Sequence, residues 1–298
     1  MLSLDLAPVA RSVAVGLGLR RLYALGLRGL WCGRRMAEPS QFTALIHPDD
    51  QPFFSRLSGA GSLRKELESL LDVAPMQAAS GDYRKLIVDG NAARKGTTSM
   101  RLWTWKRLKV RYLLDPRYAE FRAFTCALRS TNDPAERGRL ALLLMARTDR
   151  LFREVITERV SPTLRHPGTP IDEDGLHAAV ESIAERTGAG WTPGVVDGLT
   201  SHILSSAKDF GLLEGKRIKR TAEVKPGSVS AAYAIRLSRL EGLSDRRTLE
   251  SRWFRLMGLG LGDVIDLMHR TARQGALRFR FQADLAEIVL PESQEAQA

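Results

Sequence analysis

Residues 174–227 read DGLHAAVESIAERTGAGWTPGVVDGLTSHILSSAKDFGLLEGKRIKRTAEVKPG, and the punctuation of this stretch decides the fold. Leu176, Val180 and Ile183 recur at helical spacing on one face of a helix from Asp174 to Arg186. Gly188 to Gly190 is a short turn. Thr192-Pro193 then supplies a capping hydroxyl and a proline at the first helical position. The second helix runs to about Phe210 with Val195, Leu199, Ile203 and Leu204 inward, and Gly211 stops it. Gly215 makes a turn, after which Ile218, Ala222 and Val224 are spaced as the inward face of a short two-stranded element. Lys216, Arg217, Lys219, Arg220 and Lys225 decorate that element. Helix, turn, helix and basic hairpin is the order of a winged helix, whose second helix enters the major groove through its first turn after Thr192. Its wing touches backbone or minor groove. A helical domain with a charged loop in water has the same order, so both readings stand at this stage.

Toward the N-terminus, Leu164 to Asp174 carries Pro167, Gly168 and Pro170 and reads as a linker. Ahead of it the text is helical throughout. Helices are expected at Ser62–Leu71, Asp82–Val88, Tyr118–Leu128, after the Asp133-Pro134 cap, and from Asp149 to Val160. The run Leu140–Met145 is nearly all apolar and reads as buried. Beyond Ser228, helices are expected at Ala231–Leu240, Asp245–Met257 and Gly262–Arg273. Strands follow at Ala276–Gln282 and Leu285–Leu290, where Leu277, Phe279 and Phe281 alternate with Arg278 and Arg280. The expected fold is mainly α in two helical domains. Residues 37–162 form an all-α domain, residues 172–290 a winged-helix-like domain with short β-hairpins, and residues 291–298 a polar, frayed tail.

Within the first domain, Gly90 to Leu114 carries Arg94, Lys95, Arg101, Lys106, Arg107, Lys109 and Arg111 and no carboxylate. Its charge must therefore be met by an anion outside the segment. Asn91 to Gly96 reads as a loop, and Thr97, Thr98 or Ser99 as the cap of a helix that closes before Asp115-Pro116. A helix N-terminus beside Arg94, Lys95 and two hydroxyls suits phosphate. Preceded by the 82–88 helix and Asp89-Gly90, it has a helix-turn-helix-like order with a long turn. The plainer alternative is a helix packed on two faces. Trp105, Leu108 and Tyr112 lie on one, Trp103, Val110 and Leu114 on the other, with the cationic heads in water.

The whole chain of 298 residues has a net charge of +11, and 36 of its 45 basic residues are Arg. That balance points to a polyanionic partner, although a GC-rich genome gives the same Arg bias. Residues 1–35 hold six Arg against Asp5. Arg20, Arg21 and Arg28 break their apolar run, so no membrane span is expected there. MAEPSQFTALI from Met36 reads like a natural start, so residues 1–35 read as an over-long gene start or a disordered extension. Two cysteines, Cys32 and Cys126, form no framework and point to a reducing cytoplasm. The five histidines lack metal-ligand spacing. Gly258-Leu259-Gly260-Leu261-Gly262 follows a helix rather than a strand, and Lys95 precedes Gly96, the wrong order for a phosphate-binding loop. No Gly-x-Ser-x-Gly elbow occurs. No cofactor, metal or catalytic residue is expected.

Several of these features together resemble the BrxA family of BREX bacteriophage-defence systems. They are Asn91 ahead of Thr97-Thr98, Arg107 with Arg111-Tyr112, Asp115 with Phe121, and Leu142-Leu143-Leu144 with Asp149-Arg150. Trp191-Thr192 and Gly211-Leu-Leu-Glu-Gly215 complete the set. The resemblance runs roughly from Leu63 to Leu290, and residues 1–35 have no counterpart in it. It implies a mainly helical, double-stranded-DNA-binding accessory protein without catalysis, working beside the other BREX components. Phosphate contacts are expected from Arg94, Lys95, Thr97, Thr98, Arg101, Lys106 and Arg107, and from Lys216, Arg217, Lys219 and Arg220 of the wing. Two other classes remain open. One is a scaffold that docks an acidic partner through the basic surface and exposed Trp103, Trp105, Trp191 and Trp253. The other is a sequence-specific transcription regulator acting as a dimer on a palindromic operator.

Overall fold

Residues 46–291 are described by the computed structural model, so the expectations for residues 1–35 and for the tail beyond Pro291 lie outside the described residues. The first helices are α1 (Arg64–Val73), α2 (Ser80–Val88), α3 (Thr98–Tyr112), α4 (Ala119–Arg129), α5 (Pro134–Thr148) and α6 (Arg150–Val155). After α6 the chain widens into one π turn, Ile156–Val160, and tightens into a 3-10 turn, Ser161–Arg165. Helices α7 (Glu173–Thr187) and α8 (Pro193–Asp209) precede strands β1 (Leu213–Glu214) and β2 (Arg220–Thr221). Then come α9 (Ser228–Leu240), α10 (Asp245–Thr248), α11 (Arg252–Leu256), α12 (Leu261–Arg273) and the hairpin β3 (Arg278–Gln282) with β4 (Leu285–Val289). The chain is mainly helical with two short antiparallel hairpins.

Side-chain caps set many of the helix starts. Thr97 Oγ1 accepts from the Met100 N–H at 3.2 Å, and Asp133 Oδ1 from Ala135 N–H at 2.9 Å ahead of Pro134. Asp149 Oδ1 takes the Phe152 N–H at 3.0 Å, and Asp172 Oδ1 the Gly175 N–H at 2.9 Å. Each satisfies an otherwise orphaned donor of a first turn. Thr192 starts α8 without a side-chain hydrogen bond, so there the start rests on Pro193.

The centre of the core is α5, whose residues Leu140 to Met145 are all at most 1 % exposed. It packs against α3, α4, α6 and α9. The two expected domains therefore share one core, which runs from Leu57 to Ile288, and the described residues belong to one compact unit. A buried carboxylate joins the halves. Glu136 of α5 accepts from Gly227 N–H (2.8 Å), Ser230 N–H (2.8 Å) and Ser230 Oγ–H (2.9 Å) at the start of α9, and pairs with Arg139 at 3.1 Å.

Three further expectations are corrected. The stretch read as a linker is the third strand of the first hairpin. Gly168 N–H donates to Thr221 O (2.8 Å), Thr221 N–H to Thr169 O (2.9 Å) and Ile171 N–H to Lys219 O (2.9 Å), and Pro170 bridges antiparallel to Arg220. Proline and glycine are tolerated there because the strand is an edge. Within the hairpin, Leu213 pairs with Thr221 and both are buried, whereas Ile218 is 59 % exposed. The ladder is only two pairs long, so 215–219 is a turn and its side chains do not alternate. Finally, the expected Asp245–Met257 helix breaks at Ser251, whose backbone is extended, and Trp253 and Phe254 are both fully buried beyond the break. The last hairpin follows its expected alternation, with Phe279 opposite Ile288 and Phe281 opposite Ala286, while Arg278 and Arg280 face solvent.

Candidate nucleic-acid interface

The loop before α3 is shaped by Asn91. It sits in the left-handed region (φ 53°), which Asn tolerates, and its Oδ1 accepts from the Lys95 N–H at 2.7 Å. Arg94, also left-handed (φ 52°), projects its exposed side chain with no ion-pair partner among the described residues. Thr97, Thr98 and Ser99 are exposed, and the first turn of α3 contains no carboxylate. The start of α3 thus faces solvent with the exposed hydroxyls of Thr98 and Ser99, and an exposed guanidinium, Arg94, lies four residues ahead of it in the chain.

Several other cations of this stretch are already engaged. Lys95 Nζ pairs with Glu66 of α1 at 2.6 Å, so an anion outside the segment does meet its charge, and that anion belongs to this chain. Arg101 donates from Nε to Lys95 O (3.2 Å) and from Nη1 to Val88 O (3.2 Å), tying α3 to the end of α2. Arg107 donates to Arg56 O at 2.8 Å and lies 5.1 Å above the Trp103 ring. Arg111 is buried, donating to Gly61 O (2.5 Å), Ala60 O (2.7 Å) and Arg56 O (3.0 Å), and its burial pulls its pKa down to about 10. Only Lys106 and Lys109 on the helix body stay exposed, Lys109 over the Trp105 ring at 5.8 Å. Only one of the two expected faces is packed: Trp105, Leu108 and Tyr112 are buried, whereas Val110 is 43 % exposed and Leu114 lies beyond the helix end, so α3 docks on one face and keeps a basic N-terminal end.

At the wing, Lys216 and Arg217 are exposed, and their side chains have no partner among the described residues. Lys219 Nζ instead closes the turn on Lys216 O at 2.5 Å, and Arg220 Nη1 donates to Gly168 O at 2.9 Å. Lys225 pairs with Glu223 at 2.6 Å on the surface. A path of contacts connects this wing with the α3 end through α1. Lys95 holds Glu66, Arg64 donates to Asp209 O at 2.6 Å, and Lys208 of α8 donates from Nζ to Gly215 O at 2.7 Å.

Helix α8 does not supply the expected groove-reading face. Its start, exposed at Thr192 to Gly194 and at Asp197, has no cation, and Asp197 holds His177 at 2.9 Å. The neighbouring α7 exposes Glu173, Asp174, Glu181 and Glu185, which repel phosphate. On its inner side α8 meets the 58–61 loop, where a Cβ on Gly198 would lie 3.2 Å from Ser58 O. His202 there has its pKa lowered by burial and by Arg111 and Arg107.

Of the four tryptophans considered for a docking surface, Trp105 and Trp253 are buried, Trp191 is half-buried against the core, and Trp103 is half-buried beneath the Arg107 guanidinium. Among the described residues no cluster of His, Cys, Asp or Glu is arranged to hold a metal ion, and no helix is long and apolar enough to cross a membrane. Gly258 to Gly262 link two helices and line an open recess of about 530 Å³ with Leu164, Arg165 and Val224. Sequence reading missed the 168–171 strand and the exposure of Ile218. Thr169 and Thr221, 52 positions apart, share hydrogen bonds across that strand, and no local pattern announces the pairing. No protein-family model and no curated protein matches this chain.

Proposed function

We propose that this chain is a double-stranded-DNA-binding accessory protein without catalysis of its own, working in the cytoplasm beside the other components of a BREX-type phage-defence system. The observation that carries DNA binding is the charge left unpaired at two connected elements. Arg94 and Lys106, with Thr97 and Thr98, stand at and behind the open N-terminal end of α3, and Lys216 and Arg217 stand at the wing tip. Lys95, Arg101, Arg107, Lys219 and Arg220 shape these elements by internal contacts rather than by touching phosphate. The assignment to phage defence rests on the family resemblance alone.

Binding of a labelled random-sequence duplex, titrated with salt, tests the reading. Five free cations, these four and Lys109, predict a slope of log affinity against log salt of about −4 to −5, or roughly two to three decades lost between about 50 and 200 mM. Absence of binding at low salt refutes it and leaves the basic surface as a dock for an acidic protein.

A further inference from the structure

Ile218 is the anomaly of the wing. It is 59 % exposed, it does not pack against the core, and it sits at the tip between Arg217 and Lys219. The tip is held firmly. Gly215 adopts φ +90°, and a Cβ there would lie 2.2 Å from Ile218 O, so the turn closes too tightly for any other residue. Lys208 Nζ braces Gly215 O at 2.7 Å, Lys219 Nζ braces Lys216 O at 2.5 Å, and the 168–171 strand anchors β2. A stiff, β-branched aliphatic side chain is thus presented to solvent among unpaired cations.

The second hairpin provides a contrast within the same molecule. Its tip also exposes an aliphatic residue, Leu285 (77 %), but between Asp284, which pairs with Arg246 at 2.7 Å, and Ala286, and opposite Gln282. Of the two tips, only the first sets unpaired cations, Lys216 and Arg217, directly beside its exposed aliphatic residue.

We propose that Ile218 is a wedge that enters the DNA minor groove and partly unstacks one base step, while Lys216 and Arg217 hold the flanking phosphates. Apolar side chains used this way kink the duplex, which brings more of its backbone against the protein. The proposal rests on the DNA-binding reading. It favours DNA over a lipid surface because interfacial anchors commonly present Trp, Phe or Leu on an extended apolar face, and here a single Ile is exposed.

The test uses the full chain and short duplexes with 2-aminopurine at successive steps and fluorophores at the ends. The wild-type protein is expected to raise 2-aminopurine fluorescence at a flexible pyrimidine–purine step and to shorten the end-to-end distance. Ile218→Ala should abolish both signals while affinity falls by roughly tenfold or less, because lost burial and avoided unstacking offset each other. Leu285→Ala should leave both signals unchanged. Wild-type binding without a fluorescence rise or bend overturns the wedge and leaves DNA binding standing, as does an Ile218→Ala protein that still unstacks the step. No duplex binding by the wild-type protein removes both readings, and Ile218-dependent binding to phosphatidylserine vesicles would then replace the wedge with a membrane contact.

Discussion

Replacing Glu136 by Ala should be among the more damaging single changes in this chain. Its carboxylate is 7 % exposed, and it accepts three hydrogen bonds of 2.8 to 2.9 Å from the start of α9 while pairing with Arg139, itself 9 % exposed. Truncation orphans the Gly227 and Ser230 donors at the first turn of α9 and leaves the Arg139 charge uncompensated. Breaking a buried pair in this way costs about 3–5 kcal/mol. At about 2–4 °C per kcal/mol for a domain of this size, the melting temperature should fall by roughly 6–20 °C. Glu136→Gln keeps the shape but turns an NH₂ group toward a backbone donor, and should cost about 1–3 kcal/mol.

Thermal melts followed by circular dichroism, with urea titration as a check, read these values directly. The wild-type protein should unfold in a single transition, because α4 and α5 share their core with α9. A loss below about 1 kcal/mol for Glu136→Ala, or two well-separated wild-type transitions, refutes the claim that this contact fuses the halves of the chain.

Three other outcomes are expected. The double change Arg94→Ala with Lys106→Ala should weaken all duplexes alike and reduce the salt slope by about 2, whereas Lys95→Ala should leave the slope unchanged and cost at most about 1 kcal/mol of stability. Acid stability should show two opposing effects. The hydrogen bonds from Arg252 hold the Asp49 pKa at about 2, so its contribution is present above 3.8 and is lost as the pH falls toward 2. Burial raises the Glu241 pKa, so stability is gained as the pH falls through its folded value toward 4.5. Urea midpoints against pH should lose the first effect in Asp49→Asn and the second in Glu241→Gln. Gly215→Ala should cost at least about 1 kcal/mol and open the wing, read as faster tryptic cleavage after Lys216 and Arg217.

The helices were legible wherever a local cap announced them. Thr97, Asp133-Pro134 and the apolar run 140–145 each specify their neighbourhood by chemistry within a few residues. What stayed hidden depends on partners far along the chain. Nothing near Pro167 to Pro170 reports that Thr221, more than fifty positions later, completes its hydrogen bonds. Nothing near Ser251 reports that Trp253 and Phe254 need a broken helix to reach the core. The domain boundary failed for the same reason, because Glu136 is an ordinary first-turn carboxylate until its partners at Gly227 and Ser230 are known.

The basic residues carry the sharper lesson. A guanidinium bonded to a backbone carbonyl keeps its full charge, unlike one paired with a carboxylate. Arg101, Arg107, Arg111 and Arg220 therefore still contribute to the field that draws a polyanion in, even though each has at least one N–H bonded to a carbonyl. Lys95, neutralised by Glu66, contributes far less. Sequence charge consequently overstates the number of phosphates the chain can touch, while it is a fair guide to how fast a polyanion arrives. The two quantities separate experimentally. Association rates should follow the total charge of the α3 and wing surfaces, and the salt dependence at equilibrium should follow chiefly the exposed cations that no internal contact holds.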